Sequence, residues 1–294
     1  MNTSLEKLRI ISSVFTRPSF AELARTGDYQ ATFSGLVKSG VASSTEDESQ
    51  SLDTLFETIA ARLSKSYRNE YVYKSDLANR LIFGRHSPRT AGLQLELPIG
   101  RSIVDIAVAN GTSTAYEIKT EFDTTRRLGS QTYDYLRAFD RVFVVTHPLH
   151  IHRYERELDP RVGLIALSTT GSMKTIRDAT SNVRNVRPEV IFRTLRKEEY
   201  LAAIKNLFGS VPDLPNGLIH SHCERLFASI TPNAAHDILV AALRARTTNA
   251  NMVNFVSKLP PSLRTLGYAT PLSQQQRHSV IALLQKKVNL RLVD

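Results

Sequence analysis

The chain has 294 residues, 41% hydrophobic and 22% charged, with no Trp and a formal net charge of +10. That length and apolar content support one to three domains with a sizeable core and exclude a disordered tail. The single Cys223 excludes an intramolecular disulfide, no apolar run approaches a membrane span and no secretory leader is apparent, so a reducing cytoplasm is the expected compartment.

Helical patterns run through residues 4–15 and 19–37, with Pro18 between them as a breaker. Residues 39–50 are short on bulky apolar side chains and read as a flexible connection to a helix over 52–64. A further helix follows near Tyr67. Leu77 and Leu81 repeat at helical spacing, Glu70 sits near its start and Gly84 supplies a stop signal.

Next come two β-branched or apolar runs, 103–109 and 114–120, joined by Asn110-Gly111, a dipeptide that favours a tight hairpin turn. Alternation puts Val104, Ile106 and Val108 on one side of the sheet and Asp105 on the other. Glu117, Lys119 and Glu121 likewise share a face, so Asp105 and Glu117 are expected side by side. Thr124 or Thr125 then caps a helix reaching about Phe139, with Gln131 and Tyr135 one turn apart. Residues 141–146 read as a buried strand and 162–167 as another, after which 169–172 mark a turn and the pattern becomes helical. Candidate helices cover 188–194, 197–208, 219–230, 234–246 and 273–284, punctuated by prolines at 215 and 260–261. No repeat, coiled coil or helix-turn-helix stands out.

These signals divide the chain into an N-terminal helical segment and linker (1–50), a core (51–170) and a basic, mainly helical region (171–294). Residues 181–294 hold 15 Lys/Arg against 7 Asp/Glu, and the rest hold 23 against 21. A surplus of that kind gives salt-dependent affinity for polyanions, although solubility alone also accounts for it.

Two carboxylates beside an ammonium group lose hydration and repel, unless a cation or a partner compensates. Mg²⁺ suits such a pair, being a hard ion that takes one or two carboxylates and leaves positions for substrate phosphate oxygens. Phosphodiester hydrolysis by a metal-activated water is the chemistry implied. The plain alternative is a hairpin with an exposed Asp and a solvated Glu/Lys pair.

The element order, Asp-x11-Glu-x-Lys, a preceding helical Glu and a following Gln-x3-Tyr together resemble the PD-(D/E)XK, or restriction-endonuclease-like, nuclease superfamily over residues 67–168. The string from Tyr67-Arg68-Asn69-Glu70 through Gly84-Arg85-His86-Ser87 to Tyr116-Glu117-Ile118-Lys119 also resembles an uncharacterised bacterial subgroup of it. The resemblance implies an α/β core of helix, three strands, helix and strand. It makes Asp105 and Glu117 metal ligands, the Ile118 carbonyl a backbone ligand, Lys119 the water-polarising cation and Glu70 the acidic residue of the first helix. Gln131 and Tyr135 match a pair that lies beside the site in the exonuclease branch. Val104 stands where the superfamily name has Pro.

The cofactor implied is Mg²⁺, with Mn²⁺ as substitute, and the partner is nucleic acid, with DNA expected. Lys74, Arg85, His86, Arg126 and Arg127 are candidate nucleic-acid contacts. Each has an ordinary reading too: Glu70 pairs with Lys74 at i, i+4, His86 satisfies a turn, the arginines are solvated, Tyr135 packs in the core and Glu121 ends a strand. His220-Ser221-His222-Cys223 lacks the second half of a zinc site and reads as structural. The competing function is a catalytically inactive nucleic-acid-binding or adaptor protein on the same scaffold.

Overall fold

A computed structural model describes residues 5–44 and 49–293. The chain divides into two units, one from Met1–Pro88 and Asn249–Asp294, the other from Arg89–Thr248. The expected boundaries at 50 and 170 fall elsewhere: 171–248 belongs to the second unit and 249–294 to the first. The charge is redistributed accordingly. Residues 89–248 hold 21 Lys/Arg against 17 Asp/Glu and the remainder 17 against 11, so both units are basic.

The first unit begins with α1 (Leu5–Ser12), α2 (Arg17–Thr26) and α3 (Tyr29–Lys38). Pro18 lies in the first turn of α2, where its missing N–H is no loss, so it starts this helix instead of separating two. Gly27, left-handed at φ +68°, ends α2, and Asp28 caps α3 through the N–H groups of Gln30 and Ala31, splitting the 19–37 pattern. The polar stretch is bounded by β1 (Ala42–Ser44) and β2 (Gln50–Ser51), while 45–48, where a flexible connection was expected, lie outside the described residues. Then come α4 (Leu52–Ser66), α5 (Glu70–Ala78) and a π-helical turn, Asn79–Arg85, that carries the chain through Gly84.

The second unit opens with β3 (Gly92–Ile99), β4 (Ser102–Ala109) and β5 (Ser113–Lys119), then α6 (Leu128–Leu136), β6 (Arg141–Thr146), α7 (Ile151–Glu157), β7 (Gly163–Leu167) and β8 (Met173–Arg177). Four helices close it: α8 (Pro188–Thr194), α9 (Lys197–Phe208), α10 (Asn216–Ala228) and α11 (Pro232–Thr247). The chain returns to the first unit as α12 (Ala250–Lys258), α13 (Pro261–Ala269), α14 (Gln274–Leu284), β9 (Lys287–Val288) and β10 (Leu290–Leu292). There β10 pairs with β1 and β9 with β2, so the two ends of the chain build one body around Phe20, Phe33, Phe56 and Leu263. No helix among the described residues is long and apolar enough to cross a membrane.

The protein is thus mixed α/β, and its second unit centres on a six-stranded sheet in sequence order, β3 to β8. The first three strands are antiparallel neighbours, β5, β6 and β7 run parallel, and β8 turns back. Helix α6 lies against β4 and β6, and α11 against β3, β4 and β5, burying Val104, Tyr135, Phe139, Val144 and Leu239 in a common core. Asp140, buried at the entry to β6, fastens this arrangement. Its carboxylate accepts from Thr112 Oγ1 (2.7 Å), Ser181 Oγ (2.6 Å) and the backbone N–H groups of Asn182 (2.9 Å) and Val183 (3.0 Å). Burial pushes its pKa up, but the donors from Ser181, Thr112, Asn182 and Val183 outweigh it and hold the group below its ordinary value. Its contribution is therefore present above the unfolded carboxylate pKa and lost as pH falls through the lower folded value. Asp140→Ala should cost about 2 to 3 kcal/mol in denaturant unfolding at neutral pH, with a shrinking difference from the parent below about pH 4.

Candidate active site

The geometry at Asp105 starts with the hairpin. Ala109 pairs with Ser113, the Asn110 N–H bonds the Thr112 carbonyl (3.0 Å), and Gly111 takes φ +73°, giving a three-residue loop with glycine in the left-handed position. That loop sets the register Val108↔Thr114 and Ile106↔Tyr116, the last pair of the ladder, and Asp105 and Glu117 are the next residues on their strands. Their side chains share a face with Lys119. Beyond Ile106 the ladder opens: the Ile118 N–H is taken by Asp105 Oδ2 (2.7 Å) in place of a backbone carbonyl of β4.

Glu117 and Lys119 are both buried. Lys119 Nζ donates to Glu117 Oε1 (2.7 Å) and to Gln131 Oε1 (3.0 Å), and Gln131 Nε2 donates to Glu117 Oε1 (2.6 Å). Tyr135 Oη stands between Glu117 Oε2 (2.7 Å) and the Ile103 carbonyl (2.6 Å), with one proton to give. Burial first, then the charge and hydrogen bond of Glu117 and the charge of Asp105, push the Tyr135 pKa far up, so the phenol stays protonated. Gln131 and Tyr135 thus grip one oxygen each of Glu117, and fix it from the i, i+4 face of α6.

Within this unit the structure brings together Asp105, Glu117, Ile118, Lys119, Gln131 and Tyr135. Helix α6 begins at Leu128 with neither threonine as its cap, because Thr120 and Asp123 close a local turn (Thr120 Oγ1 to Asp123 Oδ2, 2.7 Å) that delays helix entry. Arg126 and Arg127 therefore precede the helix as exposed side chains. Glu121 lies past the strand and pairs with His147 (3.2 Å).

Glu70, Lys74, Arg85 and His86 belong to the other unit. Glu70 is the first residue of α5, 60% exposed, and ion-pairs with Lys74 Nζ at 2.5 Å. Lys74 itself is buried, which removes its ammonium group from the surface a polynucleotide would touch. Arg85 is exposed. His86 is half-buried, and burial followed by the charge of Arg85 lowers its pKa. His220 packs edge-on against the rings of Phe192 and Tyr200 and Cys223 is buried, in keeping with a structural role.

One acidic residue lacked a sequence signal. Glu96 of β3 falls between the pairs Leu95↔Ile106 and Leu97↔Val104, at the level of Asp105 on β4, is exposed and takes φ +52°, the single left-handed non-glycine residue among those described. A side chain there costs about 1 to 3 kcal/mol of backbone strain. Among the described residues no three His, Cys, Asp or Glu side chains close on a common point, so the donors here are a pair of carboxylates. Hard oxygen donors in that number fit Mg²⁺, which needs one or two carboxylates and fills its remaining positions with water and phosphate oxygens.

The protein is an α/β protein with a polar cluster at the broken edge of a β4–β5 ladder. The profile of the bacteriophage P4 protein cII family matches residues 64–264, and the chain belongs to that family. Protein cII of Enterobacteria phage P4 is 23% identical over 161 residues, which cover 53% of this chain and 58% of the phage protein. The matched region is thus less than two thirds of that relative's length. A protein of unknown function from Silicibacter pomeroyi superimposes with a TM-score of 0.28 at 15% identity, over 40% of this chain and 81% of that one. So loose a superposition carries no argument about this fold.

Proposed function

We propose that the second unit is a metal-dependent phosphodiesterase with a PD-(D/E)XK-type core, acting on nucleic acid, with DNA the expected polymer. The observation that carries this reading is the end of the β4–β5 ladder, where Asp105 accepts from the Ile118 N–H and Lys119 donates to Glu117 one residue to either side. The order of β3, β4, β5, α6 and β6 supports it, as does the change from antiparallel to parallel pairing at β5.

Asp105, Glu117 and the Ile118 carbonyl would hold a divalent ion, which when bound supplies an acidified water and charge neutralisation at a phosphate. Lys119 is held by Glu117 and Gln131 with its remaining N–H available to orient that water or an anionic oxygen. Tyr135, kept protonated, acts as a fixed donor and holds Glu117 in place.

A specific feature also favours the competing reading of a binding scaffold without catalysis. Glu117 Oε1 already accepts from both Lys119 and Gln131, so this carboxylate is internally compensated without a cation. Purified full chain offered linear, circular and single-stranded DNA decides between them. Cleavage with Mg²⁺ or Mn²⁺ and little with Ca²⁺, whose looser coordination orients water poorly, is the expected result. Binding with no cleavage under any metal would favour the scaffold, and equal turnover with Ca²⁺ would contradict the mechanism.

A further inference from the structure

The outer face of α6 borders a second feature that the carboxylate site does not use. The β3–β4 turn, the solvent side of α6 and the end of α8 enclose a cavity of about 580 Å³, lined among others by Arg101, Ser102, Tyr133, Asp134, Arg137 and Arg193. Its charges are unequal in their commitments. Arg193 is ion-paired with Glu224 (2.6 Å), whereas the guanidinium groups of Arg101 and Arg137 have no carboxylate partner among the described residues. Tyr133 is 63% exposed, and the Arg137 guanidinium lies 5.6 Å from its ring centroid.

The one lining carboxylate is spent on construction. Asp134 Oδ2 accepts from the Arg101 N–H (3.1 Å) and from Ser102 Oγ (2.8 Å). It thereby ties the turn to α6, and Gly100, at φ +60°, packs so close that a Cβ there would stand 2.9 Å from Asp134 Oδ1. Arg101 is therefore presented on a braced turn, not on a loose one.

We propose that this cavity binds one nucleotide of a single-stranded polynucleotide, its phosphate between Arg101 and Arg137 and its base against Tyr133. Two guanidiniums without an ion-pair partner among the described residues outnumber the one lining carboxylate and favour an anion, with the planar fork that suits phosphate oxygens. The exposed ring beside them selects an anion that carries an aromatic plane, and stacking of this kind needs an unpaired base, since a duplex hides its base faces. The volume lies within the range of small-ligand pockets. The binding itself rests on the cavity and requires no hydrolysis.

The test is fluorescence anisotropy of a labelled short oligo(dT) with the full chain in EDTA, where cleavage cannot intervene. Tyr133→Ala should weaken binding about ten-fold and Tyr133→Phe should leave it unchanged. The double variant Arg101→Gln/Arg137→Gln should weaken it at least as much and flatten the slope of log Kd against log salt by about 0.7, the share of one phosphate. Tyr133 and Arg101 are exposed and Arg137 is half-buried, so the variants should melt with the parent, which a thermal melt of each checks. Wild-type affinity in Tyr133→Ala, an unchanged salt slope in the double variant, or equally tight binding of a blunt duplex would each overturn the proposal. An absence of nuclease activity would leave it standing.

Discussion

Asp105→Asn is expected to lower the rate of Mg²⁺-dependent DNA cleavage by about 10³-fold while leaving the melting temperature within a few degrees of the parent. Asp105 is half-buried and accepts from the Ile118 N–H, a bond that an Asn side-chain oxygen can still accept. What Asn removes is the charge that a divalent ion needs. Glu117→Gln makes a useful contrast: it also removes a ligand, but it leaves the buried Lys119 ammonium without its partner, so loss of activity should come with loss of stability, about 3 kcal/mol or more. If Asp105→Asn cleaves at the parental rate, the hairpin carboxylates are not the ion's ligands.

The second large effect concerns stability and has a sign that composition alone would get wrong. Gly92→Ala should destabilise the protein by about 3 kcal/mol, because an added Cβ on β3 would stand 2.5 Å from the Leu243 carbonyl oxygen and 2.6 Å from Arg244 Cα, both backbone atoms of α11 that cannot rotate away. For a unit of this size that corresponds to a melting temperature lower by about 10 °C. Gly129→Ala, on the exposed side of α6 with nothing within 4 Å of the new methyl, should instead stabilise by up to about 1 kcal/mol. Matching effects at the two glycines would mean that α11 does not press on β3 as described.

The site was legible where a local rule controls it. Asn110-Gly111 and alternation suffice to bring Asp105 and Glu117 to the same end of the β4–β5 ladder, and i, i+4 spacing suffices to aim Gln131 and Tyr135 together. It was not legible at Glu96, because Leu93, Leu95 and Leu97 alternate as in a regular strand and nothing in that pattern announces a left-handed residue. Lys74 shows the converse failure. A lysine four residues after Glu70 reads as a surface cation, yet tertiary packing buries it.

At the scale of the fold, the strands 141–146 and 163–167 and several helices follow periodicity, but the assembly of the first unit from both chain ends depends on pairings such as Ala42↔Leu292, which no local window contains. Pro260 and Pro261 likewise read as a break between elements. Pro261 is in fact the first residue of α13, a position where a missing N–H is harmless. The strand β8 carries little signal, since Met173–Arg177 alternates weakly and is half-buried to exposed throughout.

Titration of the full chain with Mn²⁺, followed by electron paramagnetic resonance or calorimetry, tests the metal site without reference to any substrate. Binding to the wild-type chain is expected to be lost in Asp105→Asn and unaffected by Asp134→Asn, whose carboxylate is bonded to the Arg101 N–H and Ser102 Oγ. Undiminished binding in Asp105→Asn, or no binding by the wild-type chain, would contradict it.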